Sequence, residues 1–202
     1  MENNNVTRGH GLLEGFLANQ RIKIANKLII DKHRQGKLLD IGCGSYPLFL
    51  TKVEFSQKYG LDKMVQPTQI ETLKKQNINL INYDSEENQH LPFEDNFFDV
   101  VTMLAVFEHI EPVKLPVLLK EIKRILKPNG VYILTTPAVW TDGLLRFLAK
   151  LNLVSPAEIE EHKDAYSHKK IAQFLTKADF QQEKLQFGYF ELFMNVWATA
   201  TK

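Results

Sequence analysis

The chain has 202 residues, a hydrophobic content of 44% and a formal net charge of +1 at pH 7. This size suits a single domain with one core, and the balanced charge favours no particular class of partner. A single cysteine excludes an intramolecular disulfide, and the N-terminus lacks the pattern of a signal peptide. No apolar run approaches the ~20 residues of a membrane span. We therefore expect a cytoplasmic protein for which any membrane contact would be peripheral.

The N-terminal segment, residues 1–36, is predicted to be helical from Gly11 to Gln35, because apolar residues recur there at spacings of three and four. This helix would pack on the rest of the domain or cover a site. An apolar run then leads into Leu-Leu-Asp-Ile-Gly-Cys-Gly, residues 38–44. Gly42 and Gly44 can adopt positive φ angles and let a ligand approach the main chain. The run predicts a strand followed by a cofactor-binding loop, although such glycines also serve in plain turns.

Two more strands are predicted at Tyr59–Asp62 and at residues 78–83, and each of the first three strands carries an acid at its end. These acids are Asp40, Asp62 and Asp84. Ligands of open α/β sheets bind outside the carboxyl ends of the strands, and an acid about 20 residues after the glycines suits ribose hydroxyls. Each acid alone could instead form a turn or cap a helix.

The middle of the chain continues the alternation of strands and helices. Phe98–Leu104 is apolar enough for a strand buried on both faces. A helix that enters at Pro112 and stops at the turn of residues 128–130 is followed by a fifth strand, Val131–Thr136. This order predicts an α/β fold with a Rossmann-like, doubly wound, mostly parallel sheet and helices on both faces.

The C-terminal third departs from that alternation. Residues 137–166 show no strand pattern and are interpreted as a helical insertion that forms a substrate lid. Ser167 can cap a helix, and Lys184–Phe190 and Phe193–Thr201 can form a hairpin. The hairpin would add an antiparallel strand to the sheet. We expect residues 1–202 to form one domain.

Five segments together resemble the class I S-adenosylmethionine-dependent methyltransferases, particularly the small-molecule branch of types 11 and 12. They are Leu38–Gly44, Gly60–Asp62, Asn82–Glu87, Leu91–Ile110 and Leu119–Pro137. The resemblance covers about residues 20 to 200. It implies transfer of a methyl group from S-adenosylmethionine, by in-line displacement, to a small-molecule, sugar, lipid or quinone-like acceptor.

The resemblance also implies roles for residues at the ends of the predicted strands. Those expected to bind the cofactor are Asp40, Gly42, Cys43, Gly44, Asp62, Asp84, Ser85 and Leu104. The first acid and the glycines would hold the methionine end of the cofactor. Asp62 would bind both ribose hydroxyls and Asp84 would meet the adenine edge, since a carboxylate offers two acceptor oxygens.

An acceptor hydroxyl of low acidity would need a base. His109, just beyond the fourth strand, is the candidate because imidazole titrates near neutrality. Packing or capping is the alternative role for this side chain. Four further residues are candidates for contact with the acceptor: Tyr46, Trp140, His162 and Tyr166. Tyr46 lies in Ser-Tyr-Pro, which stands where the family commonly continues to a third glycine.

Two other functions compete with methyl transfer. A nicotinamide-dependent oxidoreductase would need a third glycine where Pro47 stands, and a non-catalytic protein could bind a cofactor or a partner with the same fold. Nucleic-acid bases are disfavoured as acceptors, because the strand tip reads Leu104-Ala105-Val106-Phe107 and the single cysteine, Cys43, lies in the loop. The six histidines show no ligand spacing, so no metal is expected. The oligomeric state stays open.

Overall fold

The computed structural model describes residues 14–88, 90–141, 143 and 163–202. Residues 1–13 of the N-terminal segment and most of the predicted insertion lie outside the described residues. In the ranges described, no helix is long and apolar enough to cross a membrane.

A seven-stranded sheet forms the centre of the fold. Its strands are β1 (Lys37–Ile41), β2 (Gln57–Asp62), β3 (Ile78–Asn82), β4 (Phe98–Leu104), β5 (Leu126–Pro137), β6 (Leu185–Phe190) and β7 (Asn195–Thr201). The strand order is β3-β2-β1-β4-β5-β7-β6. The first five strands pair in parallel, and β7 lies antiparallel to both β5 and β6. The predicted mostly parallel sheet with an antiparallel hairpin strand is confirmed.

Helices cover both faces of the sheet. They are α1 (Glu14–Leu28), α2 (Leu48–Lys52), α3 (Pro67–Lys74), α4 (Leu115–Ile125) and α5 (His168–Lys177). Side chains of α4 and α5 pack on one face with Leu39 and Leu134. Side chains of α1, α2 and α3 pack on the other face with Leu38 and Ile133. Neighbouring residues of one strand thus point into opposite cores, as the pleat of a strand requires, and both cores need the apolar runs seen in the sequence.

The boundary between α4 and β5 differs from the prediction. The turn at residues 128–130 was expected to separate helix and strand, but β5 begins at Leu126. The carbonyls of Arg124 and Ile125 accept hydrogen bonds from the amides of Asn96 and Phe97, at 3.0 and 2.7 Å. These contacts replace the helical bonds, so the chain joins the sheet before it reaches the proline.

The topology fixes where a ligand can bind. The chain runs from β1 outward to β3 and then returns to β4 on the other side of β1. The connections therefore diverge between β1 and β4, and the carboxyl ends of these strands border a crevice. The residues that the sequence marked for a cofactor lie at the carboxyl ends of β1, β2 and β4, in the loop after β1 and in the turn after β3.

Candidate cofactor site

The loop after β1 turns the chain toward β2. The amides of Gly42 and Cys43 both donate to the carbonyl of Leu61, at 2.8 and 3.2 Å. Gly42 has a φ of 74° and Gly44 a φ of 76°, in the left-handed region. A Cβ on Gly42 would lie 2.4 Å from Cγ2 of Val106, so this position needs glycine for its backbone angle and for space.

Asp62 connects the end of β2 to that loop. Its Oδ2 accepts from the amide of Gly44 at 2.9 Å and its Oδ1 accepts from the amide of Met64 at 2.8 Å. The residue is only 3% exposed. A carboxylate has about four acceptor positions, which suits it to several donors at once. Asp62 therefore fixes the shape of the loop from the end of β2.

Asp40 lies in the crevice between β1 and β4 and is 4% exposed. Burial raises the pKa of its carboxyl to about 7, the hydroxyl of Thr102 opposes this rise, and the charge of Asp62 adds to it. The Thr102 hydroxyl donates to Oδ1 at 2.7 Å. A cationic ligand group placed beside Asp40 would favour the ionised form.

The tip of β4 carries backbone strain that the sequence did not indicate. Ala105 has a φ of 54°, and its amide donates to both the carbonyl and the hydroxyl of Thr135, at 3.0 and 3.1 Å. Residues other than glycine are disfavoured in this left-handed region of backbone angles, and residues strained in this way are concentrated at functional sites. The turn places Val106 over Gly42 and leaves Leu104 facing the crevice.

These segments border an open cleft. Its lining residues are Ala18, Arg21, Ile22, Asp40, Gly42, Cys43, Leu48, Phe49 and Leu104. Helix α1 supplies three of them, and it also contributes Ala25 to the core. The sequence predicted that this helix would either pack on the domain or cover a site. In the structure it packs on the domain and also lines the cleft. Arg21 escaped the sequence analysis because helical spacing does not show which loop a helix lies against.

Comparison with known proteins decides the family. Residues 14–185 match a protein family described as a methyltransferase domain. This chain belongs to that methyltransferase family. The family uses S-adenosylmethionine as its cofactor, as the sequence predicted.

Similar proteins agree with this assignment. The methyltransferase is 31% identical to demethylmenaquinone methyltransferase of Staphylococcus aureus strain MRSA252 over 139 residues, which cover 64% of this chain and 56% of the relative. It is 36% identical to an uncharacterized methyltransferase of Schizosaccharomyces pombe over 107 residues, which cover 46% of this chain and 37% of that protein. The matched region is therefore about half of these relatives' length or less.

A solved structure shares the fold. It is a S-adenosylmethionine-dependent methyltransferase of Thermotoga maritima, described as a possible histamine N-methyltransferase. The TM-score is 0.68 at 18% identity, and the alignment covers 93% of this chain and 89% of the other. At this identity the comparison supports the fold and leaves the acceptor open.

The cleft of the methyltransferase has the donor set that the cofactor needs. Asp40 presents a buried carboxyl to the cleft, which suits an ammonium group. Asp62 does not line the cleft but holds the loop that does, and its carboxylate is of the kind that suits ribose hydroxyls. The cradle at Gly42, which a Cβ would fill, lets the ligand reach the main chain. These residues fit S-adenosylmethionine.

The predicted adenine residues, Asp84 and Ser85, follow β3 and do not line the cleft. Oδ1 of Asp84 accepts from the amides of Glu86 and Glu87 at 2.9 and 3.2 Å, so this carboxylate holds its own turn. Its Oδ2 lies 3.8 Å from Nζ of Lys63. The turn also contains Ser85. Asp84 therefore stabilises a turn, which was the alternative role that the sequence allowed for this acid. Contact with adenine stays a prediction for Asp84 and Ser85.

The predicted catalytic and acceptor residues occupy different environments. His109 ends a 3-10 turn directly after β4, where its amide donates to the carbonyl of Val106 at 2.9 Å and its Nδ1 is buried. Tyr46 is half-buried at the entry to α2. Trp140 is 58% exposed, and its Nε1 donates to the carbonyl of Phe193 at 3.1 Å. His162 lies outside the described residues.

Tyr166 is fully buried in the core between the sheet and α5. Its ring lies edge-on to Phe107, with 4.8 Å between ring centroids, and also contacts Phe174. Burial raises the pKa of its hydroxyl, and the charges of Asp164 and Glu108 raise it further. This placement favours packing over the predicted contact with the acceptor.

Proposed function

We propose that this chain transfers the methyl group of S-adenosylmethionine to a small, apolar acceptor of the quinone type. The observation that carries methyl transfer is the meeting of Gly42, Asp40 and the Asp62-bound loop around one cleft. The acceptor class is supported by the similarity to demethylmenaquinone methyltransferase of Staphylococcus aureus.

The protein's contribution to the reaction is mainly positional. When bound, S-adenosylmethionine would supply a sulfonium methyl group that an acceptor atom attacks in line, with S-adenosylhomocysteine as the leaving group. Asp62 binds the ribose hydroxyls, the Gly42 loop fixes the methionine end, and Leu104 borders the point where acceptor and cofactor meet. Holding two reactants in this way removes much of the entropic barrier to their encounter.

His109 is proposed as the base for an acceptor hydroxyl. It follows β4 at the carboxyl edge, and the 2.9 Å bond from its amide to Val106 fixes its backbone beside the segment that covers Gly42. A neutral imidazole would take the hydroxyl proton as the oxygen attacks. Replacement of His109 by alanine would then lower turnover and leave cofactor binding intact.

Apolar side chains at the same edge of the sheet suit an apolar acceptor. Val139, Trp140, Leu192 and Phe193 are exposed there, and the hydrogen bond from Trp140 to Phe193 joins the two segments that present them. Exposed apolar groups of this size, clustered rather than scattered, mark sites of interaction. We propose that Trp140 and Tyr46 contact the acceptor, with His162 as a further candidate.

The test is a methyl-transfer assay with labelled S-adenosylmethionine and a panel of acceptors. The panel contains a demethylated naphthoquinol with a short side chain, a catechol, an aliphatic amine and a sugar. We expect label in the naphthoquinol and its loss in the Asp62→Ala variant. Labelling of the amine or sugar but not the quinol would refute the acceptor class. Binding of S-adenosylhomocysteine without turnover on a broad panel would favour a non-catalytic role.

A further inference from the structure

The turn between β6 and β7, residues 191–194, presents large apolar side chains at the surface. Leu192 is 86% exposed and Phe193 is 66% exposed. The ring of Tyr189 packs edge-on to that of Phe193, with 5.6 Å between the ring centroids. Single exposed apolar residues are ordinary on protein surfaces, whereas clusters of them mark sites of interaction. We refer to this turn as the apolar tip.

The backbone of the apolar tip is strained and anchored. Glu191, Leu192 and Phe193 have φ angles of 51°, 53° and 68°, in the left-handed region that residues other than glycine rarely adopt. The amide of Met194 donates to the carbonyl of Glu191 at 3.0 Å, and the amide of Ala138 donates to the carbonyl of Met194 at 2.9 Å. These bonds join the tip to the segment after β5. Strain of this kind is concentrated at functional sites, and here it holds two apolar side chains outward.

The apolar tip lies at the same edge of the sheet as the cofactor cleft. β5 runs parallel to β4, and Pro137 at the end of β5 pairs with Asn195 at the start of β7. Burial raises the pKa of Glu191, and the charge of Arg21 on α1 opposes that rise. Because Arg21 lines the cleft, the tip lies near the rim that α1 forms.

Helix α1 gives this rim a positive charge. Residues 14–34, which comprise α1 and the 3-10 turn Asp31–His33, contain five basic and two acidic residues. Their net charge is therefore +3, compared with +1 for the whole chain. Lys23 and Lys27 are exposed on the helix. A basic helix beside an apolar tip is complementary to a bilayer with anionic headgroups, which attract lysine and arginine above an apolar layer.

We propose that the apolar tip inserts Leu192 and Phe193 into the surface of an anionic lipid bilayer, with α1 beside it at the headgroups. Trp140, whose Nε1 donates to the carbonyl of Phe193 at 3.1 Å, then lies at the level of the headgroups, where the amphipathic ring of tryptophan is favoured. The contact brings the mouth of the cleft to the bilayer. An apolar acceptor of the quinone type would dissolve in that bilayer, and this last consequence rests on the proposed function.

Sedimentation with lipid vesicles tests the contact. Vesicles of phosphatidylcholine with about one quarter phosphatidylglycerol are compared with vesicles of phosphatidylcholine alone. We expect the wild-type protein to bind the anionic vesicles. The double variant Leu192→Asn, Phe193→Asn should bind them at least about tenfold more weakly, because two apolar side chains no longer leave water. Asparagine tolerates left-handed backbone angles, so the variant keeps the turn.

Two further variants complete the comparison. Ile30→Asn is the matched control, since Ile30 is 51% exposed but lies in the connection that leads to the amino end of β1. It should bind vesicles as the wild-type protein does. Lys23→Gln together with Lys27→Gln should weaken binding to the anionic vesicles about five- to thirtyfold. Unchanged binding by this lysine variant would overturn the role of α1.

Fluorescence locates the contact on the molecule. The emission of Trp140 should shift to shorter wavelength when anionic vesicles are added, and the shift should be absent in Trp140→Phe and in the double asparagine variant. Equal sedimentation of the wild-type protein and the double asparagine variant would overturn the proposal, as would a wild-type protein that binds no vesicles. A wild-type dimer in solution that the double asparagine variant cannot form would overturn it too, by making the tip an interface between two copies. Because sedimentation requires neither cofactor nor acceptor, its failure is distinguishable from failure of the methyl-transfer assay.

Discussion

The two ends of the central strands use their acids in opposite ways. At the amino edge, Oδ2 of Asp99 accepts from the amide of Lys37 at 2.8 Å and from Nζ of Lys127 at 2.7 Å. At the carboxyl edge, Asp40 is bonded to a neutral hydroxyl, and none of the described basic groups lies within 4.0 Å of it. The carboxylate at the amino edge is thus paired within the protein, whereas the carboxyl group of Asp40 at the carboxyl edge can pair with a cationic group of a ligand.

The backbone at the two edges is constrained by different neighbours. Gly42, Gly44 and Ala105 all have positive φ angles at the carboxyl ends of β1 and β4. At the amino edge, Gly36 is constrained by contact, since a Cβ there would lie 2.0 Å from Oδ2 of Asp99. The difference indicates that substitutions at the amino edge should act on stability and those at the carboxyl edge on ligand binding.

The largest effect is expected for Gly42→Ala. The new methyl group would overlap Val106, and a left-handed alanine costs roughly 1–2 kcal/mol. We expect binding of S-adenosylhomocysteine to fall more than about a hundredfold in calorimetry, with a lower melting temperature. Gly15→Ala is the matched control, because a Cβ on this glycine of α1 meets nothing within 4 Å. That change should raise stability by about 0.5–1 kcal/mol and leave affinity unchanged.

Replacing one aspartate by asparagine at each edge tests whether the amino edge acts on stability and the carboxyl edge on ligand binding. Asp62→Asn should weaken S-adenosylhomocysteine binding about ten- to a hundredfold, since the hydroxyl contacts of a charged acceptor are lost. Asp99→Asn should leave that affinity unchanged and lower the free energy of unfolding by about 1–3 kcal/mol, because Lys127 loses its counter-ion. Denaturant unfolding and calorimetry on both variants give the comparison. A large loss of affinity in Asp99→Asn would show that the two edges are not independent.

Much of this arrangement could be predicted from the sequence, and the omissions have physical reasons. The apolar runs and the glycines located the strands and the loop, because strand burial and positive φ angles restrict residue choice locally. Arg21 and Ala105 could not be located in this way. The environment of Arg21 depends on how α1 docks, and the strain at Ala105 depends on a bond to Thr135 on a neighbouring strand.

The helix boundary at Leu126 was missed for a related reason. The end of α4 is set by hydrogen bonds from Asn96 and Phe97, about 30 positions earlier in the chain. Turn residues such as Pro128 and Gly130 indicated a break but not its position. Tyr166 shows the same dependence on tertiary packing. It ends the predicted lid and was a candidate for contact with the acceptor, and the fold buries it against Phe107.

The smallest effect is expected for the pH dependence that Asp40 confers. Its pKa is about 7 in the folded protein and 3.8 in an ordinary carboxyl group. Between these pH values the folded state binds more protons than the unfolded state, so the contribution of Asp40 to stability falls as the pH rises. Affinity for S-adenosylhomocysteine should change in the opposite direction, because the ammonium group prefers the ionised carboxylate. We expect about a tenfold gain in affinity from pH 6 to pH 7.5, measured by calorimetry.

Asp40→Asn separates these two consequences. The amide cannot ionise, so affinity should be low and nearly independent of pH, while unfolding experiments should show a smaller loss of stability between pH 4 and pH 7 than in the wild-type protein. Thr102→Val provides the second control, since removal of the hydroxyl that donates to Oδ1 should raise the pKa of Asp40 further and move the rise in affinity to higher pH. A pH profile identical in all three proteins would assign the titration to another group. Asp40 would then be part of the structural framework, and the distinction between the two edges would rest on Asp62 and the glycine loop.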